Sequence, residues 1–151
     1  MRREAELDEL DRQILALLLK DARLSCREIA KALGRSPATI SKRLRKLEAS
    51  GLVRGYTAIL DHEKLGYEIT VITAITVSGG KLLEVEREIA KLPNVCAVYD
   101  VTGPVDVIVI AKFKSRQELS KFTKSLLAMP HVERTCTYVV LTTVKEDFRL
   151  L

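Results

Sequence analysis

The sequence predicts an α+β protein with two parts, a helical head followed by a repeated strand–helix–strand body. Residues 25–50 contain two short helical patterns separated by a tight turn, and residues 69–144 contain the strand–helix–strand pattern twice. The chain has 151 residues, of which 47% are hydrophobic, and this is ample for packed cores. We therefore divide it into a head at residues 1–60, a linker at 61–68 and a body at 69–151.

Apolar residues recur at helical spacing in the first part of the head: Leu7, Leu10, Ile14, Leu17 and Leu18. This periodicity predicts an amphipathic helix on which two shorter helices can pack. Ser25 and Glu28 form a Ser-x-x-Glu capping box, which predicts the start of the second helix. Gly34 predicts its end, because glycine readily adopts the left-handed conformation that terminates helices.

The third helix is predicted to begin after Ser36, which can cap it, with Pro37 at the first helical position. At about 100° per residue, Ile40, Leu44 and Leu47 fall on one side of this helix. Gly51 marks its end, and residues 52–60 read as an extended exit segment. The head is therefore predicted to be a helix-turn-helix domain of the winged-helix-like kind.

The side of the third helix opposite the apolar stripe is cationic. Residues 1–60 hold 13 Lys or Arg against 8 Asp or Glu, whereas residues 61–151 hold 12 of each kind. The whole net charge of +5 thus lies in the head, where a polyanion can be met. Such charges are often only a solvated helix face, but the caps, the turn and the apolar stripe all favour a helix that enters a groove of double-stranded DNA.

We assign candidate DNA contacts by side-chain chemistry. Arg35, Arg43 and Lys46 are predicted to contact phosphates, with Ser36 adding hydroxyl or backbone contacts. Base edges are predicted to be read by Thr39, Ser41, Lys42 and Arg45. Ala38 is placed to touch a thymine methyl group.

The body repeats itself at a shift of 37 residues. Five matching pairs carry the repeat: Leu82 with Leu119, Val85 with Phe122, Ile89 with Leu126, Pro93 with Pro130, and Val95 with Val132. The predicted elements are strands at 69–78, 95–102, 105–113 and 132–144, and helices at 82–92 and 115–128. Ser115 and Glu118 predict a second capping box. This βαββαβ order predicts a ferredoxin-like domain, an antiparallel sheet with both helices on one face.

Several strands of the body are apolar on both faces, as in residues 69–75 and 107–110. Because the helices cover only one face, the other must be covered by something else, and a second copy of the chain is the simplest candidate. We therefore expect at least a homodimer. A two-fold axis would duplicate the DNA-reading helix and predict a pseudo-palindromic operator.

Other composition features exclude several classes of protein. The chain has no run of 18 or more apolar residues, and Met1-Arg2-Arg3-Glu4 leads into a charged helix rather than a signal sequence. These features predict a cytoplasmic protein without a membrane partner. The three cysteines, Cys26, Cys96 and Cys136, are odd in number, widely spaced and without a Cys-x-x-Cys pair, so we expect core or surface thiols and neither a disulfide framework nor a metal site. We also expect no cofactor.

Several motifs together resemble the Lrp/AsnC family, the leucine-responsive or feast/famine transcription regulators. In the head they are the stretches at 7–15, 23–25, 36–44 and 47–51, followed by Val53-Arg54-Gly55-Tyr56-Thr57-Ala58. In the body the motif is Thr102-Gly103-Pro104-Val105-Asp106. The resemblance spans nearly the whole chain. It implies a sequence-specific regulator whose dimers often associate into tetramers or octamers, and which responds to an amino acid or a related metabolite.

The resemblance also implies where an effector binds. In similar proteins it lies between subunits, near the turn that joins the second and third strands and against the last strand. The family pattern Gly-x-x-Asp is intact in Gly103 and Asp106, with Pro104 inside the turn, and Thr135 and Thr137 lie on the last strand. A turn glycine lets backbone amides approach a carboxylate, and Asp106 can meet an α-ammonium group. The alternative is ordinary hairpin chemistry with a solvated aspartate.

Two other functions remain open from the sequence. Enzymes that decarboxylate siroheme resemble the same architecture, but the only histidines, His62 and His131, read as surface residues, and we expect no catalytic residues. A weakly specific architectural DNA-binding protein would carry the same charge excess.

Overall fold

The computed structural model of the protein describes residues 7–151; residues 1–6, which include the stretch that predicts no signal sequence, lie outside the described part. The chain forms two compact units. One extends to residue 59 and also includes residues 146–151, and the other spans residues 60–145. The predicted linker at 61–68 thus clusters with the body, whereas the last six residues cluster with the head.

The head contains three helices, α1 (Glu9–Lys20), α2 (Cys26–Leu33) and α3 (Pro37–Ala49). The capping box that begins α2 is confirmed, because the Ser25 hydroxyl accepts from the Glu28 N–H at 3.3 Å and the Glu28 carboxylate accepts from the Ser25 N–H at 2.7 Å. Asp8 and Asp11 form a comparable box at α1. Each box satisfies backbone donors that would otherwise lack partners at a helix start.

The three helices enclose a small apolar core. Ile14 of α1, Ile29 of α2 and Ile40 of α3 are fully buried against one another. Burial of one such side chain contributes about 1.5–3 kcal/mol, so three short helices stabilise each other although none would persist alone. Residues 52–60 follow α3 without regular secondary structure.

The body consists of two strand–helix–strand units. Its elements are β1 (Ile69–Val77), α4 (Leu82–Ile89), β2 (Val95–Asp100), β3 (Val107–Phe113), α5 (Arg116–Leu127) and β4 (Val132–Val139). They form one antiparallel sheet of order β2-β3-β1-β4. The predicted ferredoxin-like βαββαβ domain is confirmed. The observed strands and helices are a few residues shorter than predicted, and β4 ends at Val139 rather than at residue 144.

The residues that match in the 37-residue repeat occupy equivalent buried positions in α4 and α5. Val85 and Ile89 of α4 and Phe122 and Leu126 of α5 are all buried in one cluster with the inner residues of the sheet. Phe113 of β3 packs against Phe122 with ring centroids 5.0 Å apart. The repeated pattern therefore encodes the side of each helix that faces the sheet.

The capping box predicted at α5 is only half present. The Ser115 hydroxyl accepts from the Glu118 N–H at 3.1 Å, as expected. The Glu118 carboxylate, however, accepts from the N–H of Lys114 at 2.9 Å rather than from Ser115. The Ser115 backbone is extended at φ −149°, and the chain entering from β3 brings the preceding amide to the carboxylate instead.

Candidate DNA-binding and ligand-binding sites

The helix predicted to read DNA is presented by a short turn. Gly34 adopts the left-handed conformation, with φ at 63°, and closes α2. Ser36 then caps α3 by accepting from the Thr39 N–H at 3.1 Å, and Pro37 occupies the first turn. Only two residues, Gly34 and Arg35, separate α2 from the capping residue of α3. A non-glycine residue at Gly34 would be strained in this conformation.

One side of α3 is buried and the other is free. Ile40 is fully buried and Leu47 is 3% exposed, so the predicted apolar stripe is confirmed. The remaining predicted contact residues, apart from Ser41 and Arg43, are exposed: Arg35, Ser36, Ala38, Thr39, Lys42, Arg45 and Lys46. Ser41 is half-buried. The exposed side therefore combines cations with short hydroxyl and methyl groups, which is the chemistry that contacts phosphates and base edges.

The two hydroxyls at the start of α3 contact each other. The Ser36 and Thr39 oxygens lie 2.8 Å apart, in addition to the capping bond from the Thr39 N–H. This contact directs the Thr39 hydroxyl toward Ser36, while both residues stay exposed.

Arg43 differs from the other cations of α3. Its Nη1 lies 3.2 Å from the Asp11 Oδ1 and also forms an ion pair with Asp8. The Asp11 side chain is 2% exposed, so Arg43 neutralises a buried carboxylate. These ion pairs do not favour the phosphate contact predicted for Arg43; they favour a role in holding α3 against the start of α1. The backbone N–H of Asp11, and then the Arg43 guanidinium, lower the pKa of Asp8.

A second contact joins α3 to the residues that follow it. The Tyr56 hydroxyl donates to the Glu48 carboxylate at 2.8 Å. Partial burial, followed by this hydrogen bond, raises the pKa of Tyr56 to about 12. The sequence did not identify this pair, although Tyr56 belongs to a family motif. Its effect is to anchor the exit segment to the last turn of α3.

The candidate effector residues lie at one end of the sheet of the body. Asp106 precedes β3, and its carboxylate accepts from the N–H of Val77, the last residue of β1, at 2.8 Å. Its own N–H donates to the Ile75 carbonyl at 3.0 Å, and its carbonyl accepts from Val101 at 3.0 Å. Asp106 thus ties the end of β1 to the hairpin between β2 and β3. One oxygen of its carboxylate has a structural role there.

The hairpin turn itself is open to solvent. Gly103 has φ at 126°, a conformation that side-chain-bearing residues rarely adopt, and no other atom would crowd a Cβ placed there. Pro104 is exposed beside it. The glycine is therefore required by the backbone conformation of the turn and not by the packing of a neighbour.

Thr135 and Thr137 lie on the edge strand β4, which is separated from β3 and Asp106 by β1. Thr135 pairs with Ile75 and Thr137 pairs with Thr73. The Thr137 and Thr73 hydroxyls are 3.1 Å apart, and Thr73 is fully buried, so these threonines point to the helix-covered face. Asp106 and Thr135 therefore flank Ile75, about two strand spacings or roughly 10 Å apart.

Comparison with known proteins identifies the family. Residues 70–150 match the family model described as the Lrp/AsnC ligand binding domain, and residues 7–54 match the model described as winged helix-turn-helix DNA-binding. The chain belongs to the Lrp/AsnC family. It is thus a helix-turn-helix transcriptional regulator with a ligand-binding domain, and the prediction of a regulator rather than an enzyme is confirmed.

Relatives of this Lrp/AsnC chain match over nearly their full lengths. An uncharacterised HTH-type transcriptional regulator of Pyrococcus furiosus is 54% identical over 145 residues, covering 96% of this chain and 98% of the relative. The HTH-type transcriptional regulator FL11 of Pyrococcus horikoshii is 40% identical over 144 residues, covering 95% of each.

Solved structures of the family share the fold. A transcriptional regulator of Neisseria meningitidis in complex with L-Met has a TM-score of 0.89 and 27% identity, covering 96% of each chain. LrpC of Bacillus subtilis has a TM-score of 0.84 and 27% identity, covering 94% of this chain and 99% of that one.

The two histidines, His62 and His131, belong to the unit that spans residues 60–145. His62 contacts the edge of the Tyr67 ring, with centroids 5.9 Å apart, and His131 follows Pro130 with φ at 71°. Within residues 7–151, three or more metal-binding side chains nowhere cluster as a metal site would require. Among the described helices, none has the length and apolarity needed to cross a membrane.

Proposed function

We propose that the protein is a sequence-specific regulator that inserts α3 into the major groove of DNA. The observation that carries this proposal is the division of α3 into a buried apolar side and an exposed cationic side, next to a turn that leaves the helix start accessible. The opposite arrangement, with the cations covered, would leave no surface for a groove.

Each predicted contact residue in α3 and the turn before it has a proposed role. Arg35 and Lys46 contact phosphates, and Ser36 adds a hydroxyl or backbone contact, so these three set the register on the duplex. Lys42 and Arg45 read base edges together with Thr39 and Ser41, and Ala38 touches a thymine methyl. We assign Arg43 to holding α3 in place, because Asp8 and Asp11 already engage its guanidinium.

We also propose a homodimer formed through the open face of the sheet. The residues on this face share an apolar centre flanked by tyrosines: Ile72, Ala74, Ile108 and Ile110, with Tyr99 and Tyr138. Ile72 is 37% exposed and Tyr138 is 59% exposed in the single chain. A second copy would remove this surface from water and bring two α3 helices to a pseudo-palindromic operator, with half-sites one helical turn or a multiple of it apart. Dimers then associate further into tetramers or octamers.

The proposed effector is an amino acid. Asp106, whose carboxylate lies beside the end of β1, offers a negative charge to an α-ammonium group, and the open turn at Gly103 and Pro104 offers the Gly103 N–H to a carboxylate, since proline has no N–H. The β4 residues Thr135 and Thr137 belong to the predicted set, but their side chains lie on the helix-covered face, where Thr137 already contacts Thr73. A relative with L-Met bound supports this class of ligand. The effector acts by binding one oligomeric state more tightly than another, because equal affinity would shift no equilibrium.

Selection of bound sequences from random DNA, with and without a mixture of amino acids, tests the proposal. A sequence-specific regulator is expected to select a DNA motif with two related half-sites. The mixture of amino acids is expected to change how much DNA with this motif is recovered. Competition with unrelated DNA at fixed salt distinguishes the weakly specific alternative, for which unrelated DNA competes as well as the selected sequence. Light scattering with each amino acid measures the oligomer; an unchanged mass for every one would remove the effector mechanism.

A further inference from the structure

An apolar groove of about 910 Å³ lies within the DNA-binding unit, on α1 and the residues after α3. Leu15, Leu18 and Leu19 of α1 form one wall. Leu52, Tyr56 and Ile59 form the other. Neither the proposed DNA contacts nor the proposed effector site includes these residues, so the groove has no role in the function described above.

The C-terminal end of the chain lies at this groove. Residues 146–151 belong to the same compact unit as the head, although the sequence places them after the body. Arg149, Leu150 and Leu151 line the groove together with its two walls. The chain therefore leaves the head after residue 59 and returns to it after residue 145.

Arg149 makes the most specific contact of this segment. Its guanidinium forms two bonds to the Asp147 carboxylate, at 2.8 and 2.9 Å, and the Asp147 Oδ1 also accepts from the Arg149 N–H at 3.0 Å. The remaining Nη1 donates to the carbonyl of Leu19, 130 residues away, at 3.5 Å. Leu19 lies in the last turn of α1, where carbonyls lack helical partners and a positive charge is favoured.

The segment fills the groove only in part. Leu151 is 59% exposed and Leu150 is 86% exposed, so most of their apolar surface remains in water. A contact of this kind, one long hydrogen bond with limited apolar burial, is weak and reversible. It is suited to limiting local opening of the head and not to holding it permanently.

We propose that residues 147–151 form an intramolecular clamp, which docks in the groove between α1 and residues 52–59 and restrains local opening of the DNA-binding unit. The occupant is the chain's own C-terminal segment, identified by the Arg149 bond to Leu19 and by the leucines that line the groove.

Amide hydrogen exchange in the full-length protein and in a variant lacking residues 149–151 tests the clamp. Two amides report on the groove: the Asp21 N–H donates to Leu17 at 2.9 Å, and the Val53 N–H donates to Leu47 at 3.2 Å. Both are expected to exchange about fivefold faster in the truncated chain, the factor for losing roughly one net hydrogen bond. Core amides such as that of Ile29 are expected to keep their rates.

Two point variants complete the experiment. Arg149→Ala keeps every apolar residue of the segment and is expected to accelerate the same two amides, so it remains informative if the truncated chain does not fold. Val144→Ser is the matched control, because Val144 is 94% exposed and does not line the groove. Unchanged exchange at Asp21 and Val53 in both clamp variants, or equal acceleration in Val144→Ser, would overturn the proposal.

Discussion

The guanidinium of Arg43 in α3 lies 3.2 Å from the carboxylate of Asp11 in α1, whose side chain is 2% exposed. A buried carboxylate without its counter-charge is costly, so this ion pair links the placement of α3 to the stability of the head.

Replacement of Arg43 by alanine is therefore expected to lower the temperature of unfolding, because Asp11 would remain buried without its partner. Arg45→Ala removes an exposed cation of the same helix and is expected to leave that temperature nearly unchanged. Circular dichroism melting curves measure both. Equal melting temperatures for Arg43→Ala and the wild type would show that the ion pair does not hold the helix.

The double substitution of Lys42 and Arg45 by alanine tests the exposed side of α3. Good base contacts contribute about 1–3 kcal/mol each, so operator affinity is expected to fall between severalfold and about a thousandfold. Lys121→Ala with Lys124→Ala removes two exposed cations of α5 and serves as the control. Gel-shift titrations at one salt concentration measure each affinity. An operator bound equally tightly by the first pair and by the wild type would mean that α3 does not read DNA.

Two substitutions of Asp106 distinguish the role of its negative charge from the role of its hydrogen bond to the Val77 N–H. Asp106→Asn retains an oxygen that can accept from the Val77 N–H, whereas Asp106→Ala removes it. We expect the asparagine variant to keep its melting temperature but lose at least about tenfold in amino-acid affinity, the factor for about 1.4 kcal/mol. Calorimetric titration with the amino acid that changes the oligomer mass in light scattering measures the loss. Undiminished affinity in Asp106→Asn would remove the proposed ammonium contact, and Asp61→Asn controls for a change of net charge alone.

The raised pKa of Tyr56 predicts that the free energy of unfolding changes with pH under alkaline conditions. Its pKa is raised from 10.0 to about 12, so the protonated hydroxyl favours the folded state. The resulting stabilisation is complete below pH 10 and is lost as the pH rises through about 12. Denaturant unfolding of the wild type and Tyr56→Phe should therefore give a stability difference that narrows across this window. A difference in the free energy of unfolding that stays constant from about pH 9 to about pH 12 would contradict the raised pKa of Tyr56.

If the open face of the sheet forms the dimer interface, a charged residue introduced there should prevent dimerisation. Ile72→Glu would place two carboxylates in the apolar centre of the proposed dimer interface and is expected to yield monomers. Leu83→Glu introduces the same charge on the outer side of α4, where Leu83 is 63% exposed. Light scattering after size-exclusion chromatography measures both. Dimers of Ile72→Glu at the wild-type concentration would place the interface elsewhere.

Local signals predicted most of the fold. Ser25, Glu28, Gly34 and Ser36 act through neighbours at most four residues away, so their roles can be read from spacing alone. The 37-residue repeat predicted the buried sides of α4 and α5 because each copy packs on the same sheet. Strand ends were less well predicted, since β4 ends where its pairing with β1 ends and not where its apolar residues end.

Long-range pairing accounts for what the sequence did not predict. Arg43 looks like Lys42 and Arg45 in the sequence, and only the packing of α3 on α1 brings it to Asp8 and Asp11. The register of β1 against β3 likewise brings Val77 to Asp106. The return of residues 146–151 to the head has no local signal, because the six residues Glu-Asp-Phe-Arg-Leu-Leu show neither a capping motif nor a helical or strand period.

In the described part of the head, Ala38, Lys42 and Arg45 are exposed on α3 and pair with no side chain of another helix. Ala38, Thr39, Lys42 and Arg45 can therefore be exchanged for other residues with little effect on Ile40 and Leu47, because substitutions without shared partners act independently. If α3 reads DNA as proposed, a gene duplicate of this regulator would acquire a new target site through a few such exchanges, with little change in its melting temperature.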